Sequence, residues 1–514
     1  MSDKNEVREL ECIVNGEAVN SEDKIPIKNI YGDVIANIPD LSSYQITRAI
    51  MGARKGKKEL DKITFDEISD IFSKAAQYYN GGYENYIAES RGNTLKQVRE
   101  SREGIKYILS NFKDIIDYAF NGNFAQTKDK KLQDKGYNHK IDSKVMPLNL
   151  KNLIYNAFNG EFTKKDDETL PERYYEPKGI VTIIPSSTTR EIAPFSVLSA
   201  LAVGNSVIVK ADSKEPFSSL ELAENLYKAG LPEGALSVLL WDTKEKPELG
   251  EKLVNISDSS ILFGYDETIK KIAYNGLKNK IDKDYINELP IPSNIVAFGD
   301  GRSKSLVWDC ENLESAAEKI ARSVTYIPSA CIKTQYVVVP KGKSDEFIEV
   351  YKKAAGKLKT GELLDPETDV GHAIPRNREM VDSILKNAEN FGAEKIYGEN
   401  VYETPTMFYN LHPESVFIKE EIPAPTLGVV EAESLDEAIN FINSSVKHSP
   451  SKKSLKVGVY TDNIDTYRKA LKDLNTHSVL YNKPTTEMGI FSPHQGMYLF
   501  QELTNLKGGE YGGT

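Results

Sequence analysis

Between Lys178 and Trp241 the chain alternates strand and helix signals with a regularity that few folds accept. "GIVTIIP" is a β-rich apolar run and "SVLSALAVG" reads as a helix. "NSVIVKA" is a second buried strand, "PFSSLELAENLYKAG" a helix closed by Gly230, and "LSVLLW" a third strand. Strand, helix, strand, helix, strand describes a parallel α/β sheet wound by right-handed crossovers. A second alternation starts near Asn294 with "NIVAFG" and "SLVWD", then the helix "LESAAEKIARSV", the strand "QYVVVP" and the helix "DEFIEVYKKAAGKL". Two α/β units therefore follow one another, with a cleft expected between them. Ahead of them, "CIVNGEAVNSEDKIPIKNIYGDVIANIPD" reads as short strands broken by turns, and Ser42 to Phe124 carries apolar residues at helical spacing.

With 514 residues the chain is long enough for two or three domains with large cores. Acidic residues outnumber basic ones, 76 to 65, for a formal charge of −11, which suits neither nucleic acid nor an anionic membrane as a general partner. Apolar runs such as "SVLSALAV" fall short of the roughly 20 residues of a membrane span, and "MSDKNEVRELEC" is charged where a signal peptide is apolar. A cytoplasmic protein is expected. Cys12, Cys310 and Cys331 form neither a disulfide framework nor a metal-ligand spacing, and the six histidines are scattered, so no metal is inferred.

Cys331 stands in "YIPSACIKTQYVVVP", where a helix ends and a strand is about to begin. Such a junction can present a thiol to a cleft, and a thiolate is a strong nucleophile; a buried packing cysteine is the competing reading. Cys12 and Cys310 read as packing residues. Lys210 ends the strand "NSVIVK", at the carboxyl edge where doubly wound sheets bind ligands, or it is a solvated surface charge. The "FGDG" turn around Gly299 and Gly301 is not a dinucleotide fingerprint.

"EPKGIVTIIPSSTTREIAPFSVLSALAVGNSVIVKADSKEP" resembles a segment of the aldehyde dehydrogenase superfamily in its order of features: Glu176, Pro177, Gly179, Pro185, Gly204, Asn205, Lys210 and Pro216. "AGLPEGALSVL", "LDPETDVGHAIPRNREMVDSILKNAENFGAEKIYGE" and "FIKEEIPAPTLGVVEAESLDEAINFIN" are further near matches, and the resemblance runs in register from Asn15 to Pro484. It implies a Rossmann-type dinucleotide-binding domain over residues 1–295 with a bridging hairpin at about 161–175, an α/β catalytic domain over 296–475 carrying Cys331, and a return and oligomerisation segment over 476–514. A homodimer or homotetramer is implied with it.

Carried over residue by residue, the resemblance makes Cys331 the nucleophile that attacks an aldehyde or thioester carbonyl. Lys210 would bond the adenosine ribose and Glu421 the nicotinamide ribose, while Ile184, Pro185, Ser186, Phe263 and Gly264 would line the pocket for NAD or NADP. Asp212 suits a free 2′-hydroxyl and Lys214 a 2′-phosphate, which leaves the choice of cofactor open. The departures matter as much. Ser187 replaces the Asn that helps form the oxyanion hole. Asp266 and Glu267 lie in "FGYDE" near the expected pyrophosphate, where they would oppose an anion unless turned away. Ala297 or Phe298 stands where hydrolytic members carry a general-base Glu.

Three functions follow from this. The first is NAD(P)-dependent oxidation of an aldehyde to an acid through a Cys331 thioester. The second is an acylating dehydrogenase or fatty acyl-CoA reductase with coenzyme A as acyl donor or acceptor, because such members also lack the Glu. The third is a superfamily member that has lost catalysis and serves as a structural or regulatory subunit.

Overall fold

The computed structural model describes residues 7–121, 172–188, 191–274, 289–374, 377–487 and 497–509. Most of the expected bridging hairpin lies outside them.

The first α/β alternation builds a seven-stranded sheet from β2 (Cys12–Val14), β3 (Glu17–Val19), β7 (Ile180–Ile184), β8 (Ser206–Lys210), β9 (Leu236–Leu239), β10 (Ser259–Phe263) and β11 (Ile295–Phe298), in the order β11-β10-β7-β8-β9-β2-β3. The N-terminal strands β1 (Arg8–Glu9), β4 (Lys24–Lys28) and β5 (Val34–Pro39) form a separate sheet in the order β1-β5-β4. β7 to β11 run parallel. Every residue of β8, β9 and β10 is buried, as expected of parallel strands covered on both faces by crossover helices. The hairpin β2–β3 extends the sheet antiparallel to β9 through Ile13 and Val238. Chain order runs outward from β7 to β8 and β9, then returns to the other side of β7 for β10 and β11. The reversal leaves a crevice between the carboxyl ends of β7 and β10, at Ile184 and Phe263.

"NIVAFG" forms β11 and closes the edge of this first sheet beside β10, where its place after Asn294 suggested membership of the second unit. Linear order says that a strand exists but not which neighbour it pairs with, and the crossover returns to β10 before the chain leaves the sheet.

The second sheet has the order β14-β15-β16-β13-β12-β17-β18. Its strands are β12 (Lys304–Val307), β13 (Tyr336–Pro340), β14 (Glu394–Tyr397), β15 (Thr406–Tyr409), β16 (Thr426–Ala432), β17 (Ser454–Tyr460) and β18 (Thr476–Tyr481). All but the edge strand β14 run parallel. Only Gly299 to Ser303 separate the last strand of the first sheet from the first strand of the second.

A two-stranded antiparallel ribbon pairs β6 (Glu172–Pro177) with β19 (Thr504–Gly509), from Thr504 opposite Pro177 to Gly509 opposite Glu172. The N-terminal helices Phe65–Ala76 and Leu95–Ser110 are each held by a capping box, on Thr64 with Glu67 and on Thr94 with Gln97. Their apolar faces join the core of the first unit.

Candidate active site

Cys331 sits in a tight turn between the helix Leu313–Thr325 and β13. Backbone bonds from Ala330 to Ile327 and from Lys333 to Ala330, 3.0 Å each, shape that turn. Its position is set by the linker between the sheets. The hydroxyl of Ser303 donates to the Cys331 carbonyl at 3.0 Å, and the Gln335 amide donates to the Ser303 carbonyl at 2.8 Å. Gly301 approaches so closely that a Cβ there would lie 1.9 Å from the Cys331 carbonyl oxygen and 2.8 Å from the Cys331 Cβ. No other residue fits, because the atoms in the way are backbone and Cβ.

Glu421 reaches the same linker from the segment before β16. One carboxylate oxygen accepts the backbone N–H groups of Gly301 and Arg302, the second at 3.0 Å. Three consecutive linker residues thus hold the backbone of Cys331 and the side chain of Glu421, 90 positions apart in the chain.

The charges around the thiol are mostly unfavourable to its ionisation. Part of Cys331 remains accessible, yet the protein packed around it pushes the thiol up to about 12, chiefly by burial and further by the negative charge of Glu421; Lys456 acts in the opposite direction. Burial also raises Glu421 and pushes Asp300 up to about 8, with Glu421 adding to that shift. One oxygen of Asp300 is buried without a hydrogen-bond partner.

Ile184, Pro185, Phe263 and Gly264 gather at the crevice of the first sheet. Phe263 stacks on Phe298 with ring centroids 4.6 Å apart. The Gly264 amide donates to the Phe298 carbonyl at 3.2 Å, and the open side of Gly264 (φ +152°) meets nothing nearer than Thr268 at 3.8 Å. Ser186 and Thr188 bond through their hydroxyls at 3.1 Å. Ser187 is buried in the loop between them. Lys210 ends β8 with its ammonium 5.5 Å from the centre of the Trp241 ring, and burial lowers it. It donates to no protein acceptor among the described residues. A buried donor at the carboxyl edge of a parallel sheet and an uncovered glycine at the crevice suit a dinucleotide. Glu421 suits it less, since one of its oxygens already serves two amides.

The two acids of "FGYDE" are turned to cations. Asp266 opens the helix Asp266–Ala273 and lies 3.4 Å from the Arg302 guanidinium, while Glu267 pairs with Lys271 at 2.6 Å. Neither is left to face an anionic ligand alone. At the missing glutamate, Phe298 is buried against Phe263, and Ala297 lines a cavity of about 790 Å³ between the two units, together with Gly299, Asp300, His448 and Leu455. That volume accommodates a small molecule, and neither Cys331 nor Glu421 lies on its wall.

Sequence reasoning missed the buried cations. Lys304, Lys333 and Lys456 are all enclosed. Lys333 donates to the Ile422 carbonyl at 3.0 Å, to Gln335 at 3.2 Å and to Thr426 at 3.5 Å, and burial lowers it to about 7. Lys304 donates to Ser454 at 3.2 Å and burial holds it well below the usual lysine range. Lys456 donates to the Glu487 carbonyl at 2.8 Å and is lowered by burial to about 8. The signal was a lysine set inside an apolar strand run, three times over.

The pattern that defines the aldehyde dehydrogenase family matches residues 18–498. An NADP/NAD-dependent aldehyde dehydrogenase of Escherichia coli is 28% identical over 317 residues, covering 60% of each chain. A 2,5-dioxopentanoate dehydrogenase of Saccharolobus solfataricus is 26% identical over 333 residues, 62% of this chain and 65% of that protein. The chain thus aligns with rather less than two thirds of the length of these relatives. Among solved structures, an NAD-dependent aldehyde dehydrogenase from Sinorhizobium meliloti superposes with a TM-score of 0.76 at 19% identity, covering 99% of this chain and 96% of that one. An NADP-dependent glyceraldehyde-3-phosphate dehydrogenase from Bacillus halodurans, complexed with NADP, does so at 0.75 and 20% over 98% and 99%. With two α/β units in the same arrangement and a family match over nearly its whole length, the chain belongs to the aldehyde dehydrogenase family.

Proposed function

We propose that the protein oxidises an aldehyde to a carboxylic acid with NAD or NADP, through a thioester on Cys331. The observation that carries this reading is the linker Gly301–Ser303, which pins the Cys331 turn and the Glu421 carboxylate to one point between the two units, next in the chain to Gly299 and Asp300 on the cavity wall. Sγ bonds the aldehyde carbon, the carbonyl π pair moves onto oxygen, and the thiol proton leaves. Ser187, in the loop after β7, is the proposed donor to the oxygen that gains charge. Bound NAD or NADP supplies a hydride acceptor for that carbon; water then adds to the resulting thioester carbonyl, the C–S bond breaks, and the acid and the Cys331 thiol are released. Lys210 and the crevice residues Ile184, Pro185, Ser186, Phe263 and Gly264 bind the dinucleotide, and Glu421 offers its second carboxylate oxygen to the nicotinamide ribose. The first unit is then the dinucleotide-binding domain and the second the catalytic one. The β6–β19 ribbon, which pairs with no further strand among the described residues, is the arm of a homodimer or homotetramer.

One observation favours acyl transfer to or from coenzyme A instead. At Ala297 and Phe298 no side chain can activate water, so a Cys331 thioester would await another acceptor. The test is absorbance of the reduced nicotinamide on mixing protein, a short or long aldehyde, and NAD or NADP, with and without coenzyme A. Turnover without coenzyme A supports oxidation; turnover only with it selects acyl transfer. No turnover and no thermal stabilisation by either cofactor would refute both, and a non-catalytic subunit would then be the better account.

A further inference from the structure

The cavity of about 790 Å³ between the two units carries on its wall neither Cys331 nor any residue assigned above to the dinucleotide. What its wall does carry is an excess of positive charge. The second unit closes it with the loop 447–453, "KHSPSKK", between the helix Leu435–Ser444 and β17. Successive turns fold that loop on itself: the Ser449 amide donates to the Val446 carbonyl and the Lys452 amide to the Ser449 carbonyl, at 3.1 Å each. Lys447, Lys452 and Lys453 are all exposed on the cavity wall, and none of their ammonium groups has an ion-pair partner among the described residues. The two acids on the wall, Asp266 and Asp300, are both held by the Arg302 guanidinium, at 3.4 and 2.9 Å. They leave the lysines uncompensated. In a chain whose formal charge is −11, this concave face is positive.

The first unit supplies the other side of the cavity. Lys270 adds a further cation there, and Leu289, Pro290, Ile291 and Ala297 form an apolar stretch leading into and along β11. A cleft lined by one sign of charge and backed by low-dielectric walls focuses the field and gathers anions. Solvated lysines with no ligand need no such setting. Three of them within seven residues, across a ligand-sized space from an apolar wall, match a molecule with one anionic and one apolar end.

We infer that this cavity binds a phosphorylated small molecule, its phosphate dianion on Lys447, Lys452 and Lys453 and its carbon body against Leu289, Pro290, Ile291 and Ala297. Ammonium groups serve such a phosphate as point charges, without the fixed fork that an arginine would impose. The inference does not depend on Cys331 being a nucleophile.

The test titrates the intact chain by isothermal calorimetry at pH 8 with phenyl phosphate and with inorganic phosphate, at low and at high salt. Phenyl phosphate should bind with a Kd below about 1 mM at low salt and more weakly at high salt. It should bind at least about fivefold tighter than inorganic phosphate, because only it reaches the apolar wall. The triple variant Lys447→Gln, Lys452→Gln, Lys453→Gln should weaken phenyl phosphate at least about tenfold. Ser451→Glu, which sets a carboxylate among the lysines, should act in the same direction. All four positions are exposed, so the melting temperature should not change. Lys210→Met, at the dinucleotide crevice, should leave phenyl phosphate binding as it was. The inference is overturned by an absence of binding at millimolar phenyl phosphate, or by an unchanged affinity in both loop variants. Loss of binding in Lys210→Met or on adding NAD would place the phosphate in the crevice and overturn it too. So would equal affinity for the two phosphates, which would reduce the loop to a site for mobile counterions.

Discussion

Lys333 offers a quantitative test of the buried charge at this site. Its ammonium group is fully enclosed and is lowered by burial from 10.5 to about 7, with Glu421 alone pulling the other way. In the unfolded chain the same lysine keeps its ordinary value. Between about pH 7 and pH 10.5 the unfolded state therefore binds one proton more than the native state, and stability rises with pH by up to about 1.4 kcal/mol per unit. The destabilisation is fully present below pH 7 and is relieved as pH climbs towards 10.5. Lys333→Met keeps the volume and removes the titration. It also strips donors from Ile422, Gln335 and Thr426, but that cost does not vary with pH and cancels when the two proteins are compared at two pH values. From pH 7.5 to 9.5, wild type should gain roughly 2.5 kcal/mol relative to the variant. The assay is urea unfolding read by tryptophan fluorescence in a Trp241→Phe background, so that Trp308, at the end of β12 in the same sheet unit, reports alone. A difference constant to within about 0.5 kcal/mol would refute the reasoning, because Lys333 would then be charged in the native state and ion-paired with Glu421.

Other substitutions probe the geometry more directly. Gly301→Ala forces a methyl group onto the Cys331 backbone, so it should cost about 1–3 kcal/mol and abolish saturable turnover, as urea midpoints and rate assays would show. Arg91 and Glu215 form an ion pair whose side chains are 6% and 3% exposed. Arg91→Met alone should cost about 3–5 kcal/mol, and Arg91→Met with Glu215→Leu much less, since only the single variant strands a buried charge; calorimetric melting of both settles it. Lys210→Met should weaken NAD and NADP about tenfold by isothermal titration while leaving the melting temperature of the free protein within a few degrees.

The strands of the first sheet were legible because parallel strands buried on both faces are apolar throughout. "GIVTIIP", "NSVIVKA" and "LSVLLW" became β7, β8 and β9. The partner of "NIVAFG" was not legible, since pairing is a long-range property and nothing within β11 names β10. At the site, Cys331 could be suspected from its place at a helix–strand junction. Its bond to Ser303, the contact with Gly301 and the shared hold on Glu421 could not, because they join residues 28 to 120 positions apart. The buried lysines were visible in "SKSLVW", "CIKTQYVVV" and "SLKVGVY" as charges in the wrong company. Such a lysine is ordinarily read as an edge or surface residue, and only the enclosure around it turns the anomaly into chemistry.

The two acids in the crevice loop raise the opposite problem, a charge that looked obstructive and is not. Asp266 belongs to the first sheet unit, Asp300 to the linker and Glu420 to the second unit, and all three carboxylates converge on one guanidinium, Arg302, at 3.4, 2.9 and 3.1 Å. The Lys419 carbonyl accepts from the same group at 3.0 Å. To reach them Arg302 adopts φ +45°, a left-handed conformation that costs a side-chain-bearing residue about 1–2 kcal/mol. That cost is recovered only while all its partners are in place, which requires the two units to keep their present relation. The guanidinium thus does two things at once. It removes Asp266 as an obstacle to an anion at the crevice, and it ties the orientation of the two units to the same linker that holds Cys331 and Glu421. An acid that seemed to argue against a bound dinucleotide is, in the folded protein, part of the fastening that joins the crevice loop of the first sheet to the linker holding Cys331.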